Sequence, residues 1–328
     1  MNVLAFGIAS KDQQGKVLEV FYPEIQTCPD TKLLSKLFPP AQRQQNCGYR
    51  ELTSSETQDL FAGFTPTAKN CALACYLGAD LPPRDVPSAY LKLHLLSMRL
   101  YQPNTLNLEG IFTIMPTVAW TSAGAISVAE LKTALLAARQ SVATSQGREH
   151  LQVYALDKFP PLLNYVLPAG VRIADSARVR LGAYLGEGTT VMPSGFINFN
   201  AGTIGPNMIE GRISQGLIIG AGTDVGGGAS TMGTLSGGNA QIVAVGKDCL
   251  IGANAGIGIS LGDNCIVEAG LYITAGAKVK LADGKIVKAR EMAGKSNLLW
   301  RRNSSTGAVE CLLNTKEFAL NMQLHDNT

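Results

Sequence analysis

Two ionisable residues of opposite sign flank a glycine in Met208-Ile-Glu-Gly-Arg-Ile-Ser214, placing Glu210 and Arg212 two positions apart. A positioned carboxylate acts as a general base or a nucleophile, and a neighbouring guanidinium is a partner for an anion. The same two residues on a solvated surface make an ordinary ion pair, and the motif by itself favours neither reading. A second cationic group, Lys288, Arg290 and the run Trp300-Arg301-Arg302-Asn303-Ser304, suits either phosphates or the upkeep of a soluble sheet edge. A base and a phosphate-binding group are what acyl transfer from a nucleotide-linked thioester to an amine requires, together with donors for the tetrahedral oxyanion.

Such residues need a scaffold, and the sequence supplies a periodic one. Ile173, Val179, Leu185, Val191 and Ile197 are spaced by six; the phase returns as Ile213, Ile219, Val225, then Val245, Ile251, Ile257, then Leu261, Val267, Ile273, Val279. A helix turns about 100° per residue, so this spacing scatters around it, whereas extended chain keeps even spacings on one face. The intervening Gly, Ala, Ser, Thr, Asp and Asn suit tight turns. The pattern is a hexapeptide repeat, the signature of a parallel β-helix: one short strand and one corner per repeat, three repeats to a triangular coil, hexad residues inward. Of 35 glycines, 23 lie between Val171 and Val279, so the enrichment belongs to this coil.

Two interruptions break the phase. Ile197 to Ile213 spans 16 residues, and Val225 to Val245 spans 20, the latter through Gly233-Thr-Leu-Ser-Gly-Gly238. Excursions from a rigid solenoid are where a site is expected, and the first break carries Glu210 and Arg212. Histidine, the base of many enzymes on such scaffolds, is absent from the repeats, since the chain has only His94, His150 and His325. That excludes a three-histidine zinc site within the coil and passes the base role to a carboxylate. Asp175, Glu187, Glu210, Asp224, Asp248, Asp263 and Glu268 are the candidates, and only Glu210 sits in a phase break beside an arginine.

The 328 residues suffice for about two domains, and a composition 46% hydrophobic and 16% charged excludes global disorder. A net charge of +3 is too small to imply nucleic acid or an anionic membrane as partner. No stretch approaches ~18 uninterrupted apolar residues and the apolar N-terminus lacks a basic leader, so a soluble, cytoplasmic protein is expected. Seven cysteines without a CxxC or a metal-ligand spacing read as core thiols of a reducing compartment, Cys71 and Cys75 in an apolar helical stretch.

Residues 1–165 read as a mixed α/β domain. Capping-box patterns at Ser55-x-x-Gln58 and Ser127-x-x-Glu130 open helices, with Leu131, Leu135, Ala138 and Val142 along one face of the second. Tyr90, Leu91, His94, Leu95 and Met98 mark another helix, while Val17–Tyr22 and Gly110–Met115 have strand character. Residues 166–280 form the coil, and 281–328 form a short C-terminal β segment entered through the hairpin signal Ala282-Asp283-Gly284-Lys285.

Five stretches occur in order: Met192-Pro-Ser-Gly-Phe-Ile-Asn-Phe-Asn-Ala-Gly202, Met208–Ser214, Asp224-Val-Gly-Gly-Gly-Ala-Ser230, Met232-Gly-Thr-Leu-Ser-Gly-Gly238 and Val267-Glu-Ala-Gly-Leu-Tyr272. Together they closely resemble the tetrahydrodipicolinate N-succinyltransferases, in the branch with a large N-terminal domain found in actinobacteria and pseudomonads. The resemblance covers roughly residues 165–310; the N-terminal half is similar only in size and general character. Hexapeptide proteins of this kind wind left-handed, an exception to the usual crossover rule, so a left-handed parallel β-helix is implied. A homotrimer is implied too, since a lone thin prism has little depth for a pocket and adjacent prisms form a cleft.

The implied reaction is succinyl transfer from succinyl-CoA to the amino group of tetrahydrodipicolinate, in its opened 2-amino-6-oxopimelate form, on the diaminopimelate route to lysine. Succinyl-CoA is then a cosubstrate, with no tightly bound cofactor, and both partners are small molecules. Glu210 matches the family's catalytic carboxylate, described as a nucleophile forming an acyl anhydride; a general base is the simpler chemical alternative. Arg212 resembles a residue that helps bind the succinyl donor. Gly227, Ser230, Ala253, Glu268, Ala269 and Gly276 match cofactor positions, and Lys288, Arg301, Arg302, Asn303 and Ser304 resemble contacts to the nucleotide end.

One departure concerns metal. Ala177 and Ser194 stand where actinobacterial members carry two acidic side chains that bind magnesium on the trimer axis, and neither supplies a carboxylate, so no metal is expected there. Asp175, two residues from Ala177, shares its strand face at a different height. Two other readings remain: another CoA-dependent acyltransferase of the hexapeptide class, differing in acyl length or acceptor, or a non-catalytic solenoid. The last has no need of the Glu210 phase break or the triple glycine.

Overall fold

The structure, a computed structural model, describes residues 1–144, 150–234 and 242–315. The chain forms two compact units: Met1–Leu95 with Leu106–Pro160, and Leu96–Thr105 with Pro161–Thr328. In the first, strands β1 (Val3–Lys11), β2 (Val17–Thr27), β3 (Cys47–Glu51) and β4 (Asn70–Leu77) make an antiparallel sheet in the order β2-β1-β4-β3. The central strands β1 and β4 are covered on both faces, so their apolar residues run on without alternating. Leu34 and Leu37 of the helix Thr31–Leu37 pack with Leu4, Phe6, Phe38 and Ala74. A second antiparallel sheet has β5 (Val118–Thr121) between β6 (Gly124–Ser127) and β7 (Val153–Asp157).

Several local expectations change here. Cys71 and Cys75 lie in β4, not in a helix; a spacing of four keeps two residues on one face of either element, so it does not discriminate. All seven cysteines are free thiols, and all but Cys28 are buried. The first capping box sits two residues earlier than expected. Glu56 N–H donates to Thr53 Oγ1 at 3.3 Å and Thr53 N–H to Glu56 Oε2 at 2.9 Å, opening the helix Ser54–Leu60.

Gly110–Met115 is not a strand. Gly110 turns the chain at φ 74°, and a short helix, Ile111–Ile114, follows. Ile111 and Met115, four apart, are both buried while Phe112 between them is exposed. The helix Val128–Thr144 begins after Ser127 as the sequence predicts, with Glu130 Oε1 accepting from Gln13 N–H at 2.8 Å.

The helix Val86–Ser97 also stands where the sequence puts it, with Tyr90, Leu91, His94 and Leu95 buried. His94 Nε2 accepts from Tyr22 N–H at 3.3 Å, which leaves Nδ1–H to donate to Tyr90 O at 2.7 Å. Burial pushes the imidazole down to about 4, so it is a neutral core histidine.

The second unit is a prism with three faces of parallel strands. The first face stacks Thr189–Val191, Asn207–Ile209, Asp224–Val225, Leu250–Ile251 and Ile266–Val267. The second stacks Phe196–Ile197, Arg212–Ile213, Ser230–Thr231, Gly256–Ile257 and Tyr272–Ile273, and the third has Gly202–Thr203, Ile218–Ile219 and Ala244–Val245. Like residues sit on like: Ile209, Val225, Ile251 and Val267 lie in register, one coil apart. The hexad residues point inward, with Val191, Ile219, Ile251 and Ile273 each 0% exposed. Ile173, in the strand that ends the stack, is half-buried.

At the other end Trp300 pairs in register with Val267 and is fully buried, so its indole closes the prism. The segment beyond the coil is β structure. Lys278–Leu281 and Ile286–Lys288 form the expected hairpin, and Leu298–Arg302 and Val309–Leu313 extend the first face.

The first phase break proves to be a contraction and not an excursion. Thr203 and Ile209 are inward and fully buried, so the period of six continues from Ile197 through both. The step from Ile209 to Ile213 is then four residues, where the equivalent steps Val225 to Thr231, Ile251 to Ile257 and Val267 to Ile273 are six. Two inward positions escaped notice because they are threonines. Their hydroxyls are satisfied, Thr203 Oγ1 against Thr189 Oγ1 and Thr231 Oγ1 donating to Arg212 O, both at 2.8 Å. The second break adds residues between Thr231 and Val245; of these, 235–241, with most of the glycine-rich stretch, lie outside the described residues.

Candidate active site

Glu210 follows the first-face strand Asn207–Ile209 and occupies the contracted corner with Gly211. Its backbone is held on both sides: Glu210 N–H donates to Val225 O at 2.8 Å, and Ser194 Oγ donates to Glu210 O at 3.0 Å. Gly211 permits the tight corner, since a Cβ there would stand 2.5 Å from Ala229 O. The two residues that other corners of this edge possess are missing here, which leaves a notch with a carboxylate in it.

Above the notch, one coil on, lie Asp224 and the triple glycine. A Cβ on Gly227 would stand 3.4 Å from Glu210 Oε2, in ordinary contact, so Gly227 lies directly against the carboxylate. Asp224, paired with Met208, points away from the prism axis, its neighbour Val225 being the inward residue. Its Oδ1 is buried and has no hydrogen-bond partner among the described residues. Burial, and then the charge of Glu210, push the Asp224 carboxyl up to about 6.

The expected thioester-binding residues continue along the same edge. Register aligns Glu210 with Gly226, Gly252, Glu268 and Arg301, and one residue further on Gly227, Ala253, Ala269 and Arg302 form a second row. Four rungs at ~4.8 Å give about 19 Å between the catalytic candidate and the cationic end. There Glu268, Ala269, Arg302 and Ser304 line a cavity of about 260 Å³ with Gly270 and Leu271. Glu268 Oε2 accepts from Arg302 N–H at 2.6 Å. Arg212 and Ser230 pair across the adjacent second face, one strand step from the notch.

Other expected residues stand apart from this ladder. Gly276 follows the last second-face strand, and Lys288 pairs with Lys278 across the terminal hairpin. Arg301 is committed within the chain: its Nε donates to Glu310 Oε2 at 3.0 Å, and Asn303 Nδ2 donates to Glu310 Oε1 at 2.9 Å. The Asn303 amide and the Arg301 guanidinium hold the Glu310 carboxyl below its usual range. Arg302 Nη1 donates to Gly307 O at 3.0 Å. Lys288 and Arg302 are exposed.

The family model described as "Tetrahydrodipicolinate N-succinyltransferase middle" matches residues 115–160, and that described as "Hexapeptide repeat of succinyl-transferase" matches residues 242–275. The 2,3,4,5-tetrahydropyridine-2,6-dicarboxylate N-succinyltransferase of Pseudomonas paraeruginosa is 49% identical over 340 residues, covering 98% of this chain and 97% of the relative. The protein of the same name from Vibrio cholerae is 46% identical over 343 residues, covering 99% and 98%. This chain belongs to the tetrahydropyridine-dicarboxylate N-succinyltransferase family. A crystal structure from Campylobacter jejuni, described as a putative 2,3,4,5-tetrahydropyridine-2-carboxylate N-succinyltransferase, is 31% identical with a TM-score of 0.85, covering 96% of this chain and 93% of that one. An α/β N-terminal region followed by a left-handed parallel β-helix is therefore the N-succinyltransferase fold here.

Glu310 was not singled out in the sequence, and Ser194 and Asp224, named there for other reasons, take new parts in this candidate N-succinyltransferase site. Ser194 fixes the Glu210 backbone, Glu310 neutralises Arg301, and Asp224, one coil on, is near enough for the Glu210 charge to raise its proton affinity. Asp224 was legible as an outward residue just before a hexad position. Glu310 carries no signal short of the hairpin register that sets Arg301 opposite it.

Proposed function

We propose that this chain transfers the succinyl group of succinyl-CoA to the amino group of tetrahydrodipicolinate in its opened form, giving N-succinyl-2-amino-6-oxopimelate and CoA, in the diaminopimelate route to lysine. The observation that carries the reading is the single ladder joining Glu210 to the cavity at Glu268 and Arg302. A thioester lying along it sets its nucleotide against the cationic end and its acyl carbon at the notch. Glu210 is the group that acts on the reacting atoms, either taking the amine's proton or attacking the thioester carbon. Arg212 pairs with the carboxylate of the succinyl donor. Gly227, Ser230, Ala253 and Ala269 give close backbone approach to the arm, and Glu268 anchors the turn through Arg302 N–H. Arg302, Asn303, Ser304 and Lys288 serve the nucleotide end. Arg301 acts there indirectly, through its pair with Glu310.

Gly276 and Lys288 stand off the ladder, which favours a homotrimer: a cleft between neighbouring prisms brings together edges that one chain keeps apart. The reading assigns the chemistry to residues 166–280, the nucleotide end to the β segment 281–328, and leaves residues 1–165 as an α/β domain of the same cytoplasmic enzyme. It calls for no metal, because Ala177 offers only its N–H, donated to Asp175, and Ser194 is engaged by Glu210. The test is thiol release from succinyl-CoA against acetyl-CoA, with and without tetrahydrodipicolinate. Release should need both succinyl-CoA and acceptor. Glu210→Gln should lower kcat by at least ~10²-fold while leaving succinyl-CoA binding nearly unchanged. Equal rates with acetyl-CoA, or a folded Glu210→Gln enzyme of ordinary turnover, would remove the reading.

A further inference from the structure

Two carboxylates stand at this corner, Glu210 in the notch and Asp224 one coil above it, and only the first has been given a task. Asp224 stands one coil above Glu210, its Oδ1 buried with no hydrogen-bond donor among the described residues. A buried acceptor without a partner is costly, and in native structures a catalytic role or a bound ion or water accounts for one. The donor that is missing must be compact and is best a cation, since two facing carboxylates repel each other until one is neutralised. The strands packed on either side offer no such cation. Met208 is the residue opposite Asp224 on one side, with Glu210 as the charged group facing it, and Leu250 is opposite on the other. The acceptor substrate carries what fits, an ammonium group.

We propose that Asp224 binds the acceptor's ammonium ion and takes its first proton, leaving Glu210 to act on the neutral amine. This rests on the reading given above in its general-base form, in which the amine itself attacks the thioester and Glu210 takes its proton. An ammonium has no lone pair, so it must lose one proton before attack. That proton moves to Asp224, and the N–H bonding pair becomes the nitrogen lone pair. The amine then attacks the thioester carbon, its second proton passes to Glu210 as the C–N bond forms, and the C–S bond breaks. Glu210 returns its proton to the departing thiolate, giving the free thiol, and Asp224 releases its own to solvent. A carboxyl brought to about 6 accepts a proton from an ammonium more readily than an ordinary aspartate and still releases it near neutrality.

The experiment uses full-length Asp224→Asn and Asp224→Glu with two measurements. The first is kcat/KM for the acceptor from about pH 5 to pH 9, where an essential base gives an acid limb. The second is binding of 2-aminopimelate and of pimelate, diacids with and without the amino group. Asp224→Asn should lose at least ~10²-fold in kcat/KM and the acid limb near the Asp224 value, with the KM for succinyl-CoA unchanged. It should bind 2-aminopimelate at least ~10-fold more weakly and pimelate as before. Asp224→Glu should regain the acid limb, and it decides the matter should the Asn variant misfold. An unchanged acid limb in Asp224→Asn, or equal weakening for both diacids, overturns the proposal. Neither result touches the role of Glu210, which stands or falls on Glu210→Gln.

Discussion

Replacing Asp224 by asparagine should make the protein more stable, although it removes a group on which turnover depends. The carboxyl is pushed up from 3.8 to about 6, so the folded chain holds its proton more tightly than the unfolded chain does. Below the unfolded value both states are protonated and there is no penalty. Between 3.8 and about 6 the unfolded chain ionises first, and stability drains away as pH rises; above about 6 the loss is complete. At ~1.36 kcal/mol per pH unit the full difference is ~3 kcal/mol, but the side chain is only half-buried and solvent screening brings it to ~1 kcal/mol. Asparagine keeps the shape without the charge. Urea unfolding at one fixed protein concentration should therefore give equal stabilities for both proteins near pH 4 and a gain of ~1 kcal/mol for Asp224→Asn at pH 8. A variant no more stable at pH 8, or one whose gain is already present at pH 4, would show that neither burial nor Glu210 raises the proton affinity of Asp224.

His94 works in the opposite sense: lowered from 6.5 to about 4 by burial, it contributes stability that is present above 6.5 and lost as pH falls through about 4. The loss should approach ~3 kcal/mol in urea unfolding, and His94→Asn should show a smaller difference between pH 7 and pH 4. Trp300→Ala empties the end of the prism and should cost ~3–5 kcal/mol, read as a lower denaturation midpoint; a change below ~1 kcal/mol would mean that the indole closes nothing. Gly222→Ala forces a Cβ against Asp248 Oδ1 at a φ of +77° and should destabilise by more than ~1 kcal/mol. Gly276→Ala meets open space without a positive φ, so its thermal midpoint should stay put while its KM for succinyl-CoA rises if Gly276 serves the thioester.

The coil was legible because its period of six is a geometric necessity, and every hexad residue from Val179 onward is buried where the phase requires. The interruptions were misjudged for a chemical reason. Thr203 and Thr231 fill inward positions by hydrogen-bonding their hydroxyls inside the prism, so a purely apolar pattern passes over them and makes a contraction look like an excursion. In the N-terminal unit the strand Asn70–Leu77 and the helix Ile111–Ile114 are short apolar runs without a readable period, and their types were exchanged. Glu210 and Arg212 stood out as motif residues. Asp224 was one candidate carboxylate among seven, and nothing in the sequence set it apart, since its character comes from the coil below and only stacking brings Glu210 to it.

Chain length and spatial spacing are uncoupled in this prism. From Ile209 to Val225 the chain runs 16 residues, from Val225 to Ile251 it runs 26, and from Ile251 to Val267 it runs 16 again. Each is nonetheless one rung of the first face. Of the ten residues by which the middle step exceeds the first, two are those missing at the Glu210 corner and eight fall between Thr231 and Val245, between the second and third faces and remote from Glu210. Insertions at that remote edge are thus silent for the reach between Glu210 and Arg302, free to drift or to acquire a role of their own. That reach changes only in whole steps of ~4.8 Å, by gain or loss of an entire coil. Divergence in this architecture is digital along the prism axis and continuous around it.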